Sequence, residues 1–130
     1  MAFVSNPALR RILLIDAATC AVMAAILLVA NRVLATLTGL PDLLVLGAGL
    51  VLVPVAIFMA AVARFGTGSG ALVWLAILGN AGWVIASLGI LVALTPTPLG
   101  IAFVLVQAAV VAVLAWLEAS AWAGSARAAA

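Results

Sequence analysis

The stretch of residues 71–94, "ALVWLAILGNAGWVIASLGILVAL", decides what kind of fold this chain adopts. It is apolar over more than the roughly 20 residues with which an α-helix crosses the hydrocarbon core of a bilayer. Yet it carries an amide (Asn80), an indole (Trp83) and a hydroxyl (Ser87). Polar side chains are tolerated in lipid when a neighbouring helix satisfies them. The stretch therefore predicts a membrane-spanning helix that packs against other helices.

The composition of the whole chain supports the same conclusion. Its 130 residues are 70% hydrophobic and 6% charged, and they include no histidine. Soluble domains are about 45–50% apolar and about 25% charged. A soluble fold of this length leaves a large share of its surface exposed, so it has no place to bury so much apolar surface. We expect lipid to be the solvent for most of these side chains, and the chain to be an integral membrane protein.

Four segments are long and apolar enough to cross a bilayer, and the connectors between them are short. The connectors "TLTGLPD", "RFGTGSG" and "TPTP" are rich in residues that end helices or form turns. Connectors this short make consecutive helices antiparallel neighbours, which predicts an all-α, up-down-up-down four-helix transmembrane bundle. We expect one transmembrane domain over residues 1–130, with a short flexible tail at 123–130. The predicted spans are residues 12–34, 43–63, 71–94 and 99–122.

The arginines predict the orientation of the bundle. Arg10, Arg11, Arg64 and Arg127 fall on one side of the predicted spans, and only Arg32 falls on the other. Cytoplasmic loops carry the excess of basic residues, so we expect a multi-pass protein of a bacterial inner (plasma) membrane with both termini in the cytoplasm. The sequence pI of about 10.1 rests on scattered arginines. Nucleic-acid surfaces need clustered positive charge, so no nucleic-acid partner is predicted.

The N-terminal stretch "ALRRILLIDAATC" has two interpretations besides a membrane span. Its twin arginine is typical of an export signal, and Cys20 stands where a lipid-modified cysteine is found in lipoproteins. However, Asp16 interrupts the apolar run early, and the run then continues to residue 34, too far for a signal segment. We expect an uncleaved first span, and Cys20 to be a packing residue rather than a reactive thiol, because burial in apolar surroundings disfavours the thiolate.

Helical geometry groups the polar residues of the spans on particular faces. With 3.6 residues per turn, Asn80, Trp83 and Ser87 share one face of the third helix. The first helix carries Asp16, and the fourth carries Gln107 and Glu118 on one face. Small residues let membrane helices approach closely, so we expect the third helix to be the most enclosed, or to expose one face to a partner. Its small-residue stripe comprises Gly79, Gly82, Ala86, Gly89 and Ala93.

The two carboxylates of the spans allow two interpretations. Counted from the midpoints of the predicted spans, Asp16 and Glu118 lie about 10–12 Å from the bilayer centre, at 1.5 Å per residue. The favoured interpretation is that each reaches the interface or pairs with an arginine. The alternative is a carboxylate pair that binds a cation or a proton, because ionisable residues inside spans mark functional sites.

The other polar residues are interpreted first as structural. Asn80 and Gln107 are expected to hold helices together rather than to contact a ligand. Trp83 is expected to pack, with a stacking surface for a flat ligand as the alternative. Pro54 predicts a kink, because its ring displaces the carbonyl of Leu50, which then needs a donor such as Asn80 or Gln107.

The sequence offers no constellation for catalysis or for a cofactor. Without histidine, haem and most transition metals lose their commonest ligand, and serine or cysteine nucleophiles lose their usual base. No CxxC pair or glycine-rich phosphate loop is present. We therefore expect no enzyme and no cofactor.

Two functions remain open. The first is a protein that acts through helix contacts, as an accessory or assembly subunit or as a self-associating bundle, with lipid and a membrane protein or a second copy as partners. The alternative is a small transporter or a bundle that binds lipid or another hydrophobic ligand at Asp16, Asn80 and Glu118.

Four short spans with a carboxylate in the first resemble the small multidrug resistance transporters. The resemblance covers the architecture and one residue, Asp16, and implies a four-helix membrane fold. Members of that family carry a glutamate deep in the first helix and a third helix rich in glycine and tyrosine, whereas this chain has an aspartate and no tyrosine. In composition the chain is also similar to small alanine- and leucine-rich four-span membrane proteins of bacteria, a likeness that implies no activity.

Overall fold

The protein is a bundle of helices, seen in a computed structural model that describes the backbone of residues 6–129 and the side chains of residues 6–124. All the regular structure in this part of the chain is helical, as predicted. A π-helical turn, Val62–Gly66, extends the third helix. The helices are α1 (Pro7–Val29), α2 (Asn31–Thr38), α3 (Asp42–Ala61), α4 (Gly70–Ala93) and α5 (Pro98–Ala129).

Four of these helices are long and apolar enough to cross a membrane, which confirms a multi-pass helical membrane protein. The short helix α2 lies between the first two spans, and its C-cap is Gly39 at φ 70°. Helix α5 continues to Ala129, through most of the segment predicted as a tail, whose flexibility stays a prediction. The four spans are Pro7–Val29, Asp42–Gly66, Gly70–Ala93 and Pro98–Gly124.

The first span lies about one turn earlier in the chain than predicted. It begins at Pro7 because Asn6 caps it: the side chain of Asn6 accepts a hydrogen bond from the backbone N–H of Leu9 at 3.1 Å, and proline is favoured at the first helical position. It ends at Val29, and α2 starts after a break at Ala30. The helix thus begins and ends before the predicted bounds of 12–34, and Asp16 lies near the middle of α1 rather than near its end.

The helices bury their apolar side chains in two separate cores. The terminal core joins the first half of α1 and of α4 to the end of α3, and Trp122 of α5 packs against it. The connector core joins the second half of α1, the first halves of α3 and α5, and α2. The terminal core consists of Leu9, Leu13, Ala17, Met59, Val62, Ala63, Val73, Ala76 and Ile77. The connector core consists of Cys20, Ala24, Leu27, Ala35, Leu40, Val45, Leu52 and Val104.

The helices pack as two pairs that are joined at both ends of the bundle. Helix α1 packs mainly against α3, and α4 packs mainly against α5. At one end, the amide of Asn6 donates to the backbone carbonyl of Ala121 at 3.2 Å. At the other end, the backbone N–H of Thr97 donates to the carbonyl of Thr38 at 2.9 Å. A side chain at Gly100 would overlap that same carbonyl, so only glycine fits where α5 passes α2.

The small-residue stripe of α4 lies on the outside of the bundle. Its five residues are exposed, and a Cβ added at Gly79, Gly82 or Gly89 would meet no atom within 4 Å. Helix α4 is therefore not the most enclosed span; that span is α1, which has the largest buried share. The polar face of α4 is the one that turns inward, so the stripe is left free to face lipid or another protein.

Candidate functional site

Three polar side chains from three spanning helices meet in the interior of the bundle. The amide nitrogen Nδ2 of Asn80 on α4 donates to Oδ2 of Asp16 on α1 at 2.7 Å. The same nitrogen donates to Oε1 of Glu118 on α5 at 2.9 Å. Asp16 is 1% exposed, Asn80 5% and Glu118 0%. We call this group the carboxyl cluster.

The position of the two carboxyls departs from the favoured sequence interpretation. They do not reach the surface, and Arg10, Arg11 and Arg64 are exposed. Among the side chains that the structure describes, neither carboxyl has an arginine as a hydrogen-bond partner. The expected pairing of Asp16 and Glu118 with Arg10, Arg11 or Arg64 was therefore wrong, whereas their depth in the membrane stays a prediction. The prediction placed Asp16 at the end of a span because it started that span too late.

The carboxyl cluster is incomplete in its hydrogen bonding. The thiol of Cys20, one turn after Asp16, donates to Oδ1 of that carboxyl at 3.5 Å. Oxygen Oε2 of Glu118 is buried and has no hydrogen-bond partner among the residues that the structure describes. A buried polar atom without a partner is rare in proteins and asks for an explanation, such as an ion or a functional role.

The charges of the two carboxyls in the cluster also need an explanation. Because one nitrogen binds an oxygen of each carboxyl, the two oxygens lie within about 6 Å of each other, where two negative charges repel strongly. A charge buried in apolar surroundings without an opposite charge is costly, and it is commonly neutralised. A proton on either carboxyl removes one charge and turns one acceptor oxygen into a donor. The geometry of the cluster can therefore accommodate a proton on one of its carboxyls.

A second group of polar side chains that includes residues of α4 is complete in its hydrogen bonding. The indole Nε1 of Trp83 donates to Oε1 of Gln107 at 2.7 Å, and Nε2 of Gln107 donates to the hydroxyl of Ser87 at 2.8 Å. The same nitrogen donates to the carbonyl of Val104 at 3.0 Å. The hydroxyl of Ser87 donates to the carbonyl of Trp83 at 2.8 Å. This amide network of Trp83, Ser87 and Gln107 holds α4 to α5.

The structure separates Pro54 from both polar groups. Pro54 lies on an exposed part of α3, and the helix continues through it. The amide nitrogens of Asn80 and Gln107 donate to other partners, so neither satisfies the carbonyl of Leu50 as the sequence suggested. Of the candidate site residues, Pro54 is the one that has no part in the interior groups.

Three largely apolar cavities surround the two polar groups. A cavity of about 400 Å³ lies between α1 and α5, and Asp16 lines it. A second, of about 250 Å³, lies between α3 and α4, and Asn80 lines it. The third, of about 360 Å³, is lined by Ser87 and Gln107 of the amide network. Trp83 lines all three cavities, so this residue is both a packing group and a cavity wall.

The sequence analysis gave no site role to three residues around the carboxyl cluster. Cys20 was interpreted as a packing residue, although its spacing of four from Asp16 places it on the same helix face. The spacing of four residues between Gln107 and Val111 places Val111 on the same helix face as Gln107. Leu52 lines two of the cavities, but nothing in its apolar run distinguishes it.

Comparisons with family models, with characterised proteins and with solved structures give no match to this chain. The resemblance to the small multidrug resistance transporters therefore finds no support there. What the chain does has to be inferred from its own geometry.

Proposed function

We propose that this protein is a small transporter or ligand-binding bundle of a bacterial inner membrane, and that its carboxyl cluster binds a proton. One observation carries the proposal. Asn80 bridges two fully buried carboxyls, while Oε2 of Glu118 has no partner. Ionisable residues inside spans are rare and mark ion and proton pathways. Neither catalysis nor a cofactor is part of the proposal.

The donor between the carboxyls favours a proton over a metal ion. A metal ion shared by Asp16 and Glu118 would need oxygen ligands around it, because hard cations prefer carboxylate and carbonyl oxygens. Asn80 instead presents an N–H donor to both carboxyls. A donor in this place repels a cation, and it fits a pair of carboxyls in which one holds a proton.

We also propose that the spans run alternately up and down with both termini in the cytoplasm. Contact between Asn6 and Ala121 supports this course, because it brings the start of α1 to the last part of α5. Contact between Thr38 and Thr97 likewise brings the two outer connectors together. Arg10, Arg11 and Arg64 then share the end at which basic residues favour the cytoplasm.

A second candidate function is that of an accessory subunit or a self-associating bundle. The exposed stripe on α4 favours it, because small residues on an outward face let another membrane helix approach closely. The two functions are compatible, since the stripe and the carboxyl cluster lie on different faces of α4.

Difference infrared spectroscopy tests the proton directly. The whole chain has three acidic residues, so few carboxyl groups contribute to the C=O stretch of a protonated acid. We expect purified protein in lipid to show this band at neutral pH, and its intensity to rise as the pH falls. The band should shift or disappear in Asp16→Asn and in Glu118→Gln.

Asp42 provides the matched control. It is the third acid and it is exposed at the start of α3, so Asp42→Asn should leave the band unchanged. If Asp16→Asn and Glu118→Gln leave both the infrared band and the proton uptake by proteoliposomes unchanged, the proposed function is wrong.

A further inference from the structure

The two cavities that reach the carboxyl cluster have a common wall. Four residues line both the cavity of about 400 Å³ and the cavity of about 250 Å³. Each of the four comes from a different spanning helix: α1, α3, α4 and α5 in turn. They are Cys20, Leu52, Trp83 and Val111.

The two cavities extend from this wall toward opposite ends of the bundle. The larger cavity continues along α5 to Phe103 and Leu99, toward the connector that precedes α5. The smaller cavity continues along α3 to Phe58 and Met59, and Met59 belongs to the terminal core. We call them the connector cavity and the terminal cavity.

Each cavity reaches a different member of the carboxyl cluster. Asp16 lines the connector cavity, and Asn80 lines the terminal cavity. The two side chains are joined by the 2.7 Å hydrogen bond between Nδ2 of Asn80 and Oδ2 of Asp16. The cluster therefore spans the boundary between the cavities, beside the four-residue wall.

We propose that Cys20, Leu52, Trp83 and Val111 form a partition that keeps two access routes to the carboxyl cluster apart, with Trp83 as the residue that closes it. This inference rests on the proposed function. Trp83 is the largest of the four side chains, and the amide of Gln107 fixes its indole at 2.7 Å. A layer of apolar side chains of this kind excludes water and blocks ion passage by dewetting.

The partition gives the cluster a specific role. Hydronium in one cavity gives its proton to a carboxylate oxygen and leaves water. The carboxyl returns that proton to water, as hydronium, in the other cavity only after the partition has opened. While Trp83 stays bound to Gln107, uptake and release occur on the same side. Movement of Trp83 breaks one hydrogen bond, so the barrier set by this bond is modest.

Cys20 is a natural reporter of the partition, because it is the single cysteine and lines both cavities. The test measures the rate at which a water-soluble methanethiosulfonate reagent labels Cys20 in proteoliposomes. Trp83→Ala should raise the rate by at least about tenfold, because removal of the indole lets water join the two cavities. Trp83→Phe keeps most of the bulk but lacks the indole N–H that binds Gln107, so its rate should lie between those of the unsubstituted protein and Trp83→Ala.

Trp116→Ala is the matched control. Trp116 is 67% exposed on the outer side of α5, so its removal should leave the labelling rate unchanged. An unchanged rate in folded Trp83→Ala overturns the partition. If Trp83→Ala does not yield a monodisperse protein, Val111→Ala removes a smaller part of the same layer. In that case, an unchanged labelling rate in Val111→Ala overturns the partition.

A proton-leak measurement separates this inference from the proposed function. Trp83→Ala proteoliposomes with a pH-sensitive dye inside should leak protons faster than the unsubstituted protein, and Asp16→Asn in the same chain should abolish the increase. If labelling of Cys20 rises but the leak does not, the partition stands and the carboxyl cluster is not the proton path. If neither rises, the partition is wrong, whereas the infrared result for Asp16 and Glu118 still decides the proposed function.

Discussion

The carboxyl cluster and the amide network both begin on α4, within two turns of each other, yet they differ in completeness. In the amide network of Trp83, Ser87 and Gln107, each side-chain donor has an acceptor. In the carboxyl cluster, two acids share one amide donor and one oxygen has no partner. A complete network stabilises a single arrangement, whereas a buried group left incomplete costs stability and is retained where it serves a function.

The two groups also differ in what they connect. The amide network joins α4 to α5, which already pack together along their lengths. The carboxyl cluster joins α1 to α4 and α5, across the boundary between the two helix pairs. Any movement of one pair against the other therefore strains the carboxyl cluster, as it strains the hydrogen bonds at the two ends of the bundle. The binding of a proton at the carboxyl cluster is therefore more readily linked to movement of the helix pairs than binding at the amide network would be.

The largest effect is expected from Asn80→Leu. The substitution removes the one amide donor shared by Asp16 and Glu118, and it leaves both carboxyls buried without it. A buried acceptor that loses its donor costs about 1–3 kcal/mol, and more where it is charged. Two carboxyls lose this donor, so we expect the free energy of unfolding to fall by about 2–6 kcal/mol. Unfolding by a denaturing detergent in mixed micelles measures it. A loss below that of Gln107→Leu would contradict the ranking of the two groups.

A smaller effect is expected from Gln107→Leu, which breaks the amide network. It leaves Nε1 of Trp83 and the hydroxyl of Ser87 without one partner each. An unsatisfied buried group costs about 1–3 kcal/mol, and Ser87 keeps its bond to the carbonyl of Trp83. We expect a loss of about 1–2 kcal/mol in the same unfolding measurement. The infrared band of the protonated carboxyl should stay in place, because this network does not touch the acids.

The smallest effect on stability is expected from Glu118→Gln. The same substitution is expected to abolish proton binding at this position. The new amide keeps an acceptor for Asn80 and adds a donor where the carboxyl oxygen has no partner. We expect the free energy of unfolding to change by less than about 1 kcal/mol. Potentiometric titration of the purified protein should show fewer protons bound than in Asp42→Asn. A large loss of stability would mean that the charge of Glu118 serves the fold.

Much of the fold was predictable because it depends on local properties of the chain. The length of an apolar run and the helix breakers that bound it predicted four spans, and three of the four agree closely with the structure. The first span shows a local signal that was overlooked, since "SNP" before an apolar run marks a helix start capped by Asn6. With that start, the central position of Asp16 follows from the sequence alone.

The site itself was predictable only in part. The sequence grouped Asn80, Trp83 and Ser87 on one face of α4, and Gln107 and Glu118 on one face of α5. The structure divides these residues between the carboxyl cluster and the amide network. The sequence did not decide which face of α4 turns inward, because its glycine stripe and its polar face both favour helix contact. The structure buries the polar face and leaves Gly79, Gly82 and Gly89 outside.

The sequence by itself determined that the chain crosses a membrane and where it turns, because hydropathy and turn formation belong to each segment separately. Only the tertiary structure decided that Asp16, Asn80 and Glu118 meet, and that Arg10, Arg11 and Arg64 stay apart from them. The rotation of a helix about its axis depends on the packing of all its neighbours at once. No single segment contains that information, and this rotation is what turned three isolated polar residues into one buried cluster.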